Sequence, residues 1–180
     1  MDAYTVALDL GTEMYCTIHL FANVQNTNEI RTKVMNGELS CSVIKAALIA
    51  NPFQIAVAAN KAVVNEKMKQ LTTKSLYTEL LFNLSISKNI SRSLIEFGIH
   101  DRDKNILIAL IHKKGEEETM SKTIMDTVKG EVTPISRLSE YSDHSLIKKI
   151  YKIDKDELDV SNLTDSVVSR ISCKDFILLR

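Results

Sequence analysis

The sequence predicts an α+β fold: a small, mainly antiparallel sheet covered by about seven or eight helices, in a single domain of residues 1–180. Segments with the two-residue period of a strand are concentrated near the N-terminus and at one place in mid-chain, whereas helical patterns occupy most of the rest. Strands and helices do not alternate regularly, so a parallel sheet of βαβ units is not indicated. A length of 180 residues fits one domain.

Two strands are predicted at the start of the chain, over residues 4–10 and 15–21, joined by a turn at Gly11-Thr12. In the second strand every other residue from position 16 to position 20 is apolar, which gives it one clearly apolar face. A third strand is predicted over residues 105–112, because this run is apolar enough for the centre of a sheet.

The clearest helix signal lies at Asn51-Pro52, where the asparagine can cap the first free amides and the proline is preset for the first turn. The residues that follow, as far as position 64, include only three polar side chains, Gln54, Asn60 and Lys61. We therefore expect a helix that is buried on nearly every side and ends near position 70. At about 100° per residue Gln54, Lys61 and Asn65 share one narrow stripe, which we expect to meet water or a partner.

Further helices are predicted from the same apolar period and from capping residues. They cover Thr27–Met35, residues 75–84, Ile90–Phe97, and residues 117–129, 145–151 and 161–171. Residues 41–50 predict a brief helical or extended run that ends in a strand, and the segment around Pro134 predicts a linker or turn.

The charges of the chain cancel, because 23 basic residues are matched by 23 acidic ones. A protein that coats duplex nucleic acid has a large basic excess, so that function is not indicated, although neutrality is compatible with a small local contact. The N-terminus lacks the basic flank and apolar core of a signal peptide, and no segment is long enough to span a membrane. We therefore expect a soluble, intracellular protein.

The sequence contains none of the usual catalytic or nucleotide-binding signatures, such as GxxxxGK[ST], GxGxxG, HExxH or GxSxG. The three cysteines form no CxxC pair, and the four histidines lie in different elements without the spacing of metal ligands. They are Cys16, Cys41, Cys173, His19, His100, His112 and His144. We therefore predict no catalytic residue, no metal ligand and no cofactor.

One fragment, Asp9-Leu10-Gly11-Thr12, resembles the first phosphate loop of the actin and Hsp-type sugar-kinase superfamily. In that superfamily the loop works with a second phosphate hairpin and a second large domain, for which a chain of 180 residues has no room. The favoured interpretation is a turn between two strands, with Gly11 at the turn.

Two features each have two interpretations. The first is a local excess of lysine, which indicates either a solvated helix end or a small phosphate-binding patch reinforced by Arg92. It consists of Lys61, Lys67, Lys69 and Lys74 against the single acid Glu66. The second is the apolar tail of residues 176–179, which either folds back onto the sheet or extends the stripe of Leu163, Val167 and Ile171 to meet another protein.

Several long runs are specific enough to indicate a family. The main ones are Asn51-Pro-Phe-Gln-Ile, residues 58–63 (AANKAV) and residues 73–85 (TKSLYTELLFNLS); residues 89–91, 97–99, 147–152 and 172–175 add to them. In these runs, and from about Val6 to the C-terminus, the chain resembles the PRPK-binding protein family (TPRKB) of the KEOPS/EKC complex.

The resemblance implies a non-enzymatic subunit of a complex that transfers a threonylcarbamoyl group to the adenosine just 3′ of the anticodon in ANN-decoding tRNAs. In that family a separate transferase subunit holds the active site, and the kinase-like subunit PRPK acts as an ATPase beside it. Proteins similar to this chain bind the N-lobe of PRPK, modulate its activity and help capture tRNA by its 3′ CCA end. The implied location is cytoplasmic and nuclear, without a membrane contact.

On this resemblance we assign candidate residues to the two partners. For tRNA, Lys61, Lys74 and Arg92 are predicted to contact phosphates, while Asn60 and Gln54 contact base edges. For the kinase, the apolar side chains Val167, Ile171 and Phe176 of the last helix are predicted to form the interface.

Two alternatives stay open at this point. One is a small nucleotide-dependent regulator or phosphotransfer enzyme that uses the Asp9-Gly11-Thr12 turn. The other is a pure protein adaptor that does not contact RNA. Nucleotide binding by the isolated chain would distinguish the first alternative from the KEOPS-subunit interpretation.

Overall fold

The computed structural model describes residues 3–176 of the chain. Within this range five strands are formed: β1 Tyr4–Ala7, β2 Met14–Ala22, β3 Ser42–Lys45, β4 Ile106–Lys113 and β5 Glu131–Thr133. The same range holds eight α-helices: α1 Thr27–Met35, α2 Pro52–Lys67, α3 Leu76–Leu84, α4 Ile90–Phe97, α5 Glu117–Thr127, α6 His144–Tyr151, α7 Lys155–Val160 and α8 Leu163–Cys173. Short 3-10 helices lie at Ala46–Leu48 and Ile135–Glu140.

The strands form one antiparallel sheet in the order β1-β2-β4-β3, and β5 pairs with the end of β2. β4 lies between β2 and β3, and its residues from Ile106 to His112 are buried. The predicted α+β class, the antiparallel sheet and the central position of this strand are confirmed.

Helices cover both faces of the sheet. One face, which includes Ile18 and Leu107, packs against the large helical layer formed by α2, α3, α4, α6 and α8. The opposite face, which includes Phe21, packs against Ile30 of α1 and Ile124 of α5. The alternation of side chains along each strand therefore divides the core into a large cluster and a small one.

Helix α2 is the centre of the large layer. Its N-terminus forms as predicted, because the Asn51 side chain accepts a hydrogen bond of 2.9 Å from the Phe53 amide and Pro52 occupies the first turn. Ala58, Ala59 and Ala62 are completely buried, and their small size lets the sheet and neighbouring helices approach the helix closely.

Gln54 fastens α2 to three other parts of the fold. Its side-chain nitrogen donates 2.9 Å to the Tyr151 hydroxyl of α6 and 3.1 Å to the Leu48 carbonyl, while its oxygen accepts from the Ala50 amide at 3.1 Å. The Tyr151 hydroxyl in turn donates 2.6 Å to the Leu84 carbonyl at the end of α3. The bonds to Leu48, Tyr151 and Leu84 are buried, so each of them is needed to offset the loss of water.

Three segments differ from the sequence prediction. The segment around Pro134, predicted as a linker or turn, forms β5 and the following 3-10 helix. Helix α7 was not predicted, because it has six residues, none of them buried, and so shows no apolar period. Residues 41–50, predicted to end in a strand, have the reverse order, because strand β3 comes first and a 3-10 helix follows it.

None of the helices in residues 3–176 is long and apolar enough to cross a membrane. The buried apolar side chains form the two core clusters, one on each face of the sheet.

Replacing Tyr151 by phenylalanine tests the buried network. The change removes one hydroxyl and leaves the Leu84 carbonyl and one Gln54 hydrogen without a partner, which costs about 1–3 kcal/mol of unfolding free energy. Urea unfolding should show this loss for Tyr151→Phe but much less for Tyr141→Phe, whose ring is only half-buried. Equal stability of the two variants would contradict the structural importance of the network.

Candidate functional site

Gln54, predicted to contact a base edge, lies where no RNA can reach it. Its side chain is fully buried and its amide is used in the bonds to Leu48, Ala50 and Tyr151. The prediction was wrong for this residue, because a helical wheel shows that Gln54 shares a stripe with Lys61 and not what covers that stripe. Asn60 is half-buried, and its side-chain oxygen accepts 2.7 Å from the Asp9 amide.

Lys61 is also occupied within the protein. Its ammonium donates 2.9 Å to the Ile171 carbonyl and lies 2.9 Å from the Asp175 carboxylate, so it closes the C-terminal end of α8. The Lys61 side chain is only 17% exposed, so little of it contacts solvent. The lysine therefore has an acid and a carbonyl of the protein as its partners.

A second lysine holds the same end of α8 from the other side. Lys174 is only 3% exposed, and its ammonium donates to the Phe82 carbonyl of α3 and lies 3.3 Å from the centroid of the Phe82 ring. Burial, together with the positive charges of Lys61 and Lys88, lowers the pKa of Lys174 to about 7, while the acids Asp175 and Glu79 act in the opposite direction. Lys61 and Lys88 are therefore close enough to Lys174 for their charges to affect its pKa.

The turn after β1 is fastened to the C-terminal end of α2. The Lys67 ammonium donates to the Gly11 carbonyl, and the Asp9 carboxylate accepts 2.9 Å from the Gly11 amide. Thr12 also bonds back to the Asp9 carbonyl, through its amide at 2.9 Å and its hydroxyl at 2.7 Å. The fragment that resembles a phosphate loop is thus a closed turn whose Gly11 amide already faces a carboxylate.

Two of the three residues predicted to bind the kinase are part of the core. Val167 and Ile171 are completely buried against the large cluster that includes α2. They cannot form an interface in this conformation, because the apolar stripe of α8 faces the protein's own interior. Phe176 is 86% exposed, and residues 177–179 of the predicted apolar tail lie outside the described residues.

Three exposed apolar side chains lie on the segments that are bonded to α2 or follow it, and we call these residues together the α2 patch. It consists of Leu10, Met68 and Phe176, which are 92%, 61% and 86% exposed. Leu10 follows Asp9, which is bonded to Asn60, and Phe176 follows Asp175, which is bonded to Lys61. The hairpin and the end of α8 are therefore bonded to consecutive residues of α2.

Lys74 and Arg92 are both exposed but lie in different places. Lys74 is in the α2–α3 loop, which is held by the buried carboxylate of Glu79. That carboxylate accepts from the amide and hydroxyl of Thr73, both at 2.8 Å, and from Asn65 at 3.3 Å. Arg92 lies on α4. The sequence-predicted RNA residues therefore do not converge on one point.

Arg92 lines a groove between α4 and α6, which we call the basic groove. Its volume is about 760 Å³, and Lys88, Lys149 and Lys152 line it together with Arg92, while Ile86, Leu146 and Ile150 supply apolar surface. Glu96 is the acid among the lining residues, and its carboxylate accepts 3.1 Å from the Ser85 hydroxyl. None of the four cations forms an ion pair within residues 3–176.

Sequence reasoning missed three of these four cations. Lys88 precedes α4, whereas Lys149 and Lys152 come about sixty residues later, so no local charge excess joins them. Only the packing of α6 against the α4 region brings them together. In the described part of the chain, no group of three or more His, Cys, Asp or Glu side chains is placed to hold a metal ion.

An exposed apolar patch and a groove of unpaired cations on one small α+β domain are features of a protein that binds partners. Comparison with known sequences shows to which family of partner-binding proteins the chain belongs. The profile of the family described as kinase binding protein CGI-121 matches residues 21–175. The chain therefore belongs to the CGI-121 family of kinase binding proteins, and the resemblance seen in the sequence is confirmed.

Individual relatives agree with this assignment. The chain is 40% identical over 172 residues to the Danio rerio protein named EKC/KEOPS complex subunit TPRKB, over 95% of this chain and 97% of the relative. It is 27% identical over 155 residues to the Candida glabrata EKC/KEOPS complex subunit CGI121, over 85% and 86%. It is 26% identical over 173 residues to the Schizosaccharomyces pombe EKC/KEOPS complex subunit cgi121, over 94% and 98%.

Replacing Lys61 by alanine should destabilise the protein, because the change removes a charged donor from the Ile171 carbonyl and the Asp175 carboxylate. Bonds to charged groups contribute about 1.5–3 kcal/mol, so thermal unfolding of Lys61→Ala should show a clear loss. The exposed Lys74→Ala variant is the matched control and should unfold like the parent. If Lys61→Ala also unfolds like the parent, the bonds to the end of α8 do not stabilise it.

Lys174 should make stability depend on pH. An unfolded lysine has a pKa of about 10.4, whereas the folded value is about 7. Between these values the unfolded chain binds more protons, so this site makes the unfolding free energy rise with pH. Above about pH 8.5 the buried thiols Cys16 and Cys41 oppose the rise, because burial raises their pKa to about 12.

Urea unfolding between pH 7 and about 8.5 therefore gives the cleanest measurement. The parent and the exposed-site control Lys74→Met should show a more positive slope of unfolding free energy against pH than Lys174→Met. Parallel slopes for all three proteins would show that Lys174 keeps an ordinary pKa when folded.

Proposed function

We propose that this chain is a non-catalytic subunit of a KEOPS/EKC complex. In this role it binds a PRPK-like kinase and helps recruit tRNA, by its 3′ CCA end, for threonylcarbamoyladenosine modification next to the anticodon. The observation that carries the proposal is the match over nearly the whole chain to relatives named as EKC/KEOPS complex subunits, within a family of kinase binding proteins. The proposed location is the cytoplasm and the nucleus.

The nucleotide-dependent alternative finds no support in the Asp9-Gly11-Thr12 turn. A phosphate-binding loop needs free amides that point at the anion. Here the Gly11 amide donates to the Asp9 carboxylate and the Thr12 amide donates to the Asp9 carbonyl. A phosphate at this turn would meet a carboxylate instead of a donor.

The α2 patch is the proposed docking surface for the kinase. Exposed apolar side chains that lie together mark interaction surfaces, and a buried aromatic anchor often contributes most of the binding energy. Phe176 is such an anchor, and Leu10 and Met68 extend the apolar area around it. Val167 and Ile171 support this surface from beneath, because they hold α8 on the core.

The proposed RNA contacts also change with the structure. Gln54 is withdrawn, and Lys61 contributes mainly through its charge, because its ammonium is bonded to Ile171 and Asp175. Lys74 and Arg92 remain as exposed cations for phosphate contacts, and the amide nitrogen of Asn60 remains for a base edge. The chain would act as a protein adaptor alone if its complex with the kinase had no affinity for tRNA.

Phe176→Asp tests the kinase surface without disturbing the core, since the side chain is 86% exposed. Loss of an aromatic anchor costs about 2 kcal/mol or more, so calorimetric titration with a PRPK-like kinase should show at least about thirtyfold weaker binding. The matched control is Val160→Asp on α7, where an apolar residue is 89% exposed outside the α2 patch; it should bind like the parent.

Two results would reject different parts of the proposal. Parent-like binding by Phe176→Asp would reject the α2 patch and leave the partner unchanged. Failure of the parent chain itself to bind the kinase would reject the kinase-binding role.

A further inference from the structure

Helix α1 ends at an Asn-Gly sequence. Asn36 is the C-terminal cap of the helix and Gly37 follows it, and both residues are exposed. No other asparagine of the sequence precedes a glycine. Asparagine is among the thermolabile residues, and a following glycine makes it most reactive, because the missing Cβ leaves the next backbone nitrogen open to the side-chain carbonyl carbon. Asn36 therefore carries the side-chain amide with the most reactive neighbour in the chain.

The conformation of the helix end explains why a glycine stands at this position. Gly37 has a φ of +76°, the left-handed conformation that ends many helices. Its amide donates 3.1 Å to the Val34 carbonyl, while the Glu38 amide donates 2.9 Å to the Lys33 carbonyl. A Cβ added to Gly37 would meet no heavy atom within 4 Å outside the adjoining residues, so the space around the pair is open.

The side chain of Asn36 is directed toward the residues that follow it. Its Nδ2 donates 3.2 Å to the Glu38 carboxylate, so the side-chain amide lies beside the Gly37 peptide. Deamidation needs this proximity, because the attacking atom is the Gly37 nitrogen and the atom attacked is the Asn36 Cγ. The bond from the Gly37 amide to the Val34 carbonyl must open before that nitrogen can attack.

That bond lies in a short exposed stretch between two anchors. Residues 35–38 are exposed, whereas Val34 packs against the small core cluster and Leu39, only 6% exposed, belongs to it. The last turn of a helix frays, and opening of an exposed end costs much less free energy than unfolding of the core. The Gly37 amide is therefore freed by opening of this stretch alone.

We propose that Asn36 is a site of spontaneous deamidation in the folded protein, and that the isoaspartate formed there is a substrate for a protein carboxyl methyltransferase. The Gly37 nitrogen gives its proton to solvent and bonds to the Asn36 Cγ. The bond from Cγ to Nδ2 breaks, and Nδ2 takes up a proton and leaves as ammonia, so a cyclic imide remains. Water then opens the ring, at the side-chain carbonyl to give aspartate or at the backbone carbonyl to give isoaspartate.

The isoaspartate weakens the end of α1. Its chain runs through the former side chain, which adds a methylene to the backbone before Gly37 and leaves the backbone carboxylate of residue 36 free. The methylene displaces the Gly37 and Glu38 amides from the carbonyls of Val34 and Lys33. The new negative charge lies at the C-terminus of the helix, where it is unfavourable. The free backbone carboxylate is also the group that a carboxyl methyltransferase esterifies.

The test incubates the full chain, folded and at mildly alkaline pH, and follows the tryptic peptide of residues 34–45 by mass spectrometry. Asn36 is the single asparagine of this peptide. Its aspartyl and isoaspartyl forms should accumulate in a constant ratio, because both come from one imide, and faster at higher pH, because attack needs the deprotonated nitrogen. The isoaspartyl form should accept a labelled methyl group from S-adenosylmethionine when an isoaspartyl methyltransferase is added.

Three controls separate this site from general ageing of the protein. The tryptic peptide of residues 1–31 holds asparagines at positions 23, 26 and 28, none before a glycine, and should stay unchanged. The matched variant Asn36→Gln forms a larger ring that closes far more slowly, so methyl acceptance should be lost. Tyr151→Phe weakens the buried network of the core and leaves α1 unaltered, so it should deamidate at the rate of the parent.

Four results would overturn the inference. Survival of Asn36 in the folded chain, over the time that converts it in the urea-unfolded chain, would show that the fold protects it. Formation of aspartate without isoaspartate would exclude the cyclic imide and the methyltransferase substrate. Parent-like methyl acceptance by Asn36→Gln would place the isoaspartate elsewhere. A rate at least about fivefold higher for Tyr151→Phe would show that the reaction needs unfolding of the core and not opening of the helix end.

Discussion

The close covering of the inner part of α2 by the sheet and the other helices is the constraint on which the rest of the structure depends. Polar side chains in the covered part of this helix lose much of their contact with water, so each finds a partner in another element. Gln54 bonds to Tyr151 of α6, Lys61 to the end of α8, and Asn65 to Glu79 of α3. Through these three residues α2 is hydrogen-bonded to α6, α8 and α3 of the large layer.

Helix α2 and its neighbours show what could and could not be predicted from the sequence. The Asn51-Pro52 start of α2 and the central position of β4 depend on local capping and on hydrophobic content, and both were predictable. The environment of Gln54 was not, because residue spacing shows which side chains share a face and not whether protein or water covers that face. Val167 and Ile171 were assigned to a partner for the same reason.

The two candidate surfaces also combine residues that local sequence signals indicate with residues that only tertiary packing brings to them. Phe176 and Arg92 were named as candidates from the sequence, but only the structure shows that both side chains are exposed. The α2 patch also includes Leu10, whose hairpin is held on α2 by the bond between Asp9 and Asn60. The basic groove needs Lys149 and Lys152, which reach Arg92 only through the packing of α6. Surfaces made by tertiary packing have no signature in a local window of sequence.

The alanines of α2 have a consequence for naturally occurring variants. Ala58, Ala59 and Ala62 are completely buried where the sheet and the neighbouring helices approach closely, so a larger side chain at any of them would push the layers apart. Neither the α2 patch nor the basic groove would lose a chemical group by such a change. Cells that carry one would therefore contain less of the protein, because quality control removes unstable chains, while the molecules that fold would keep both surfaces intact.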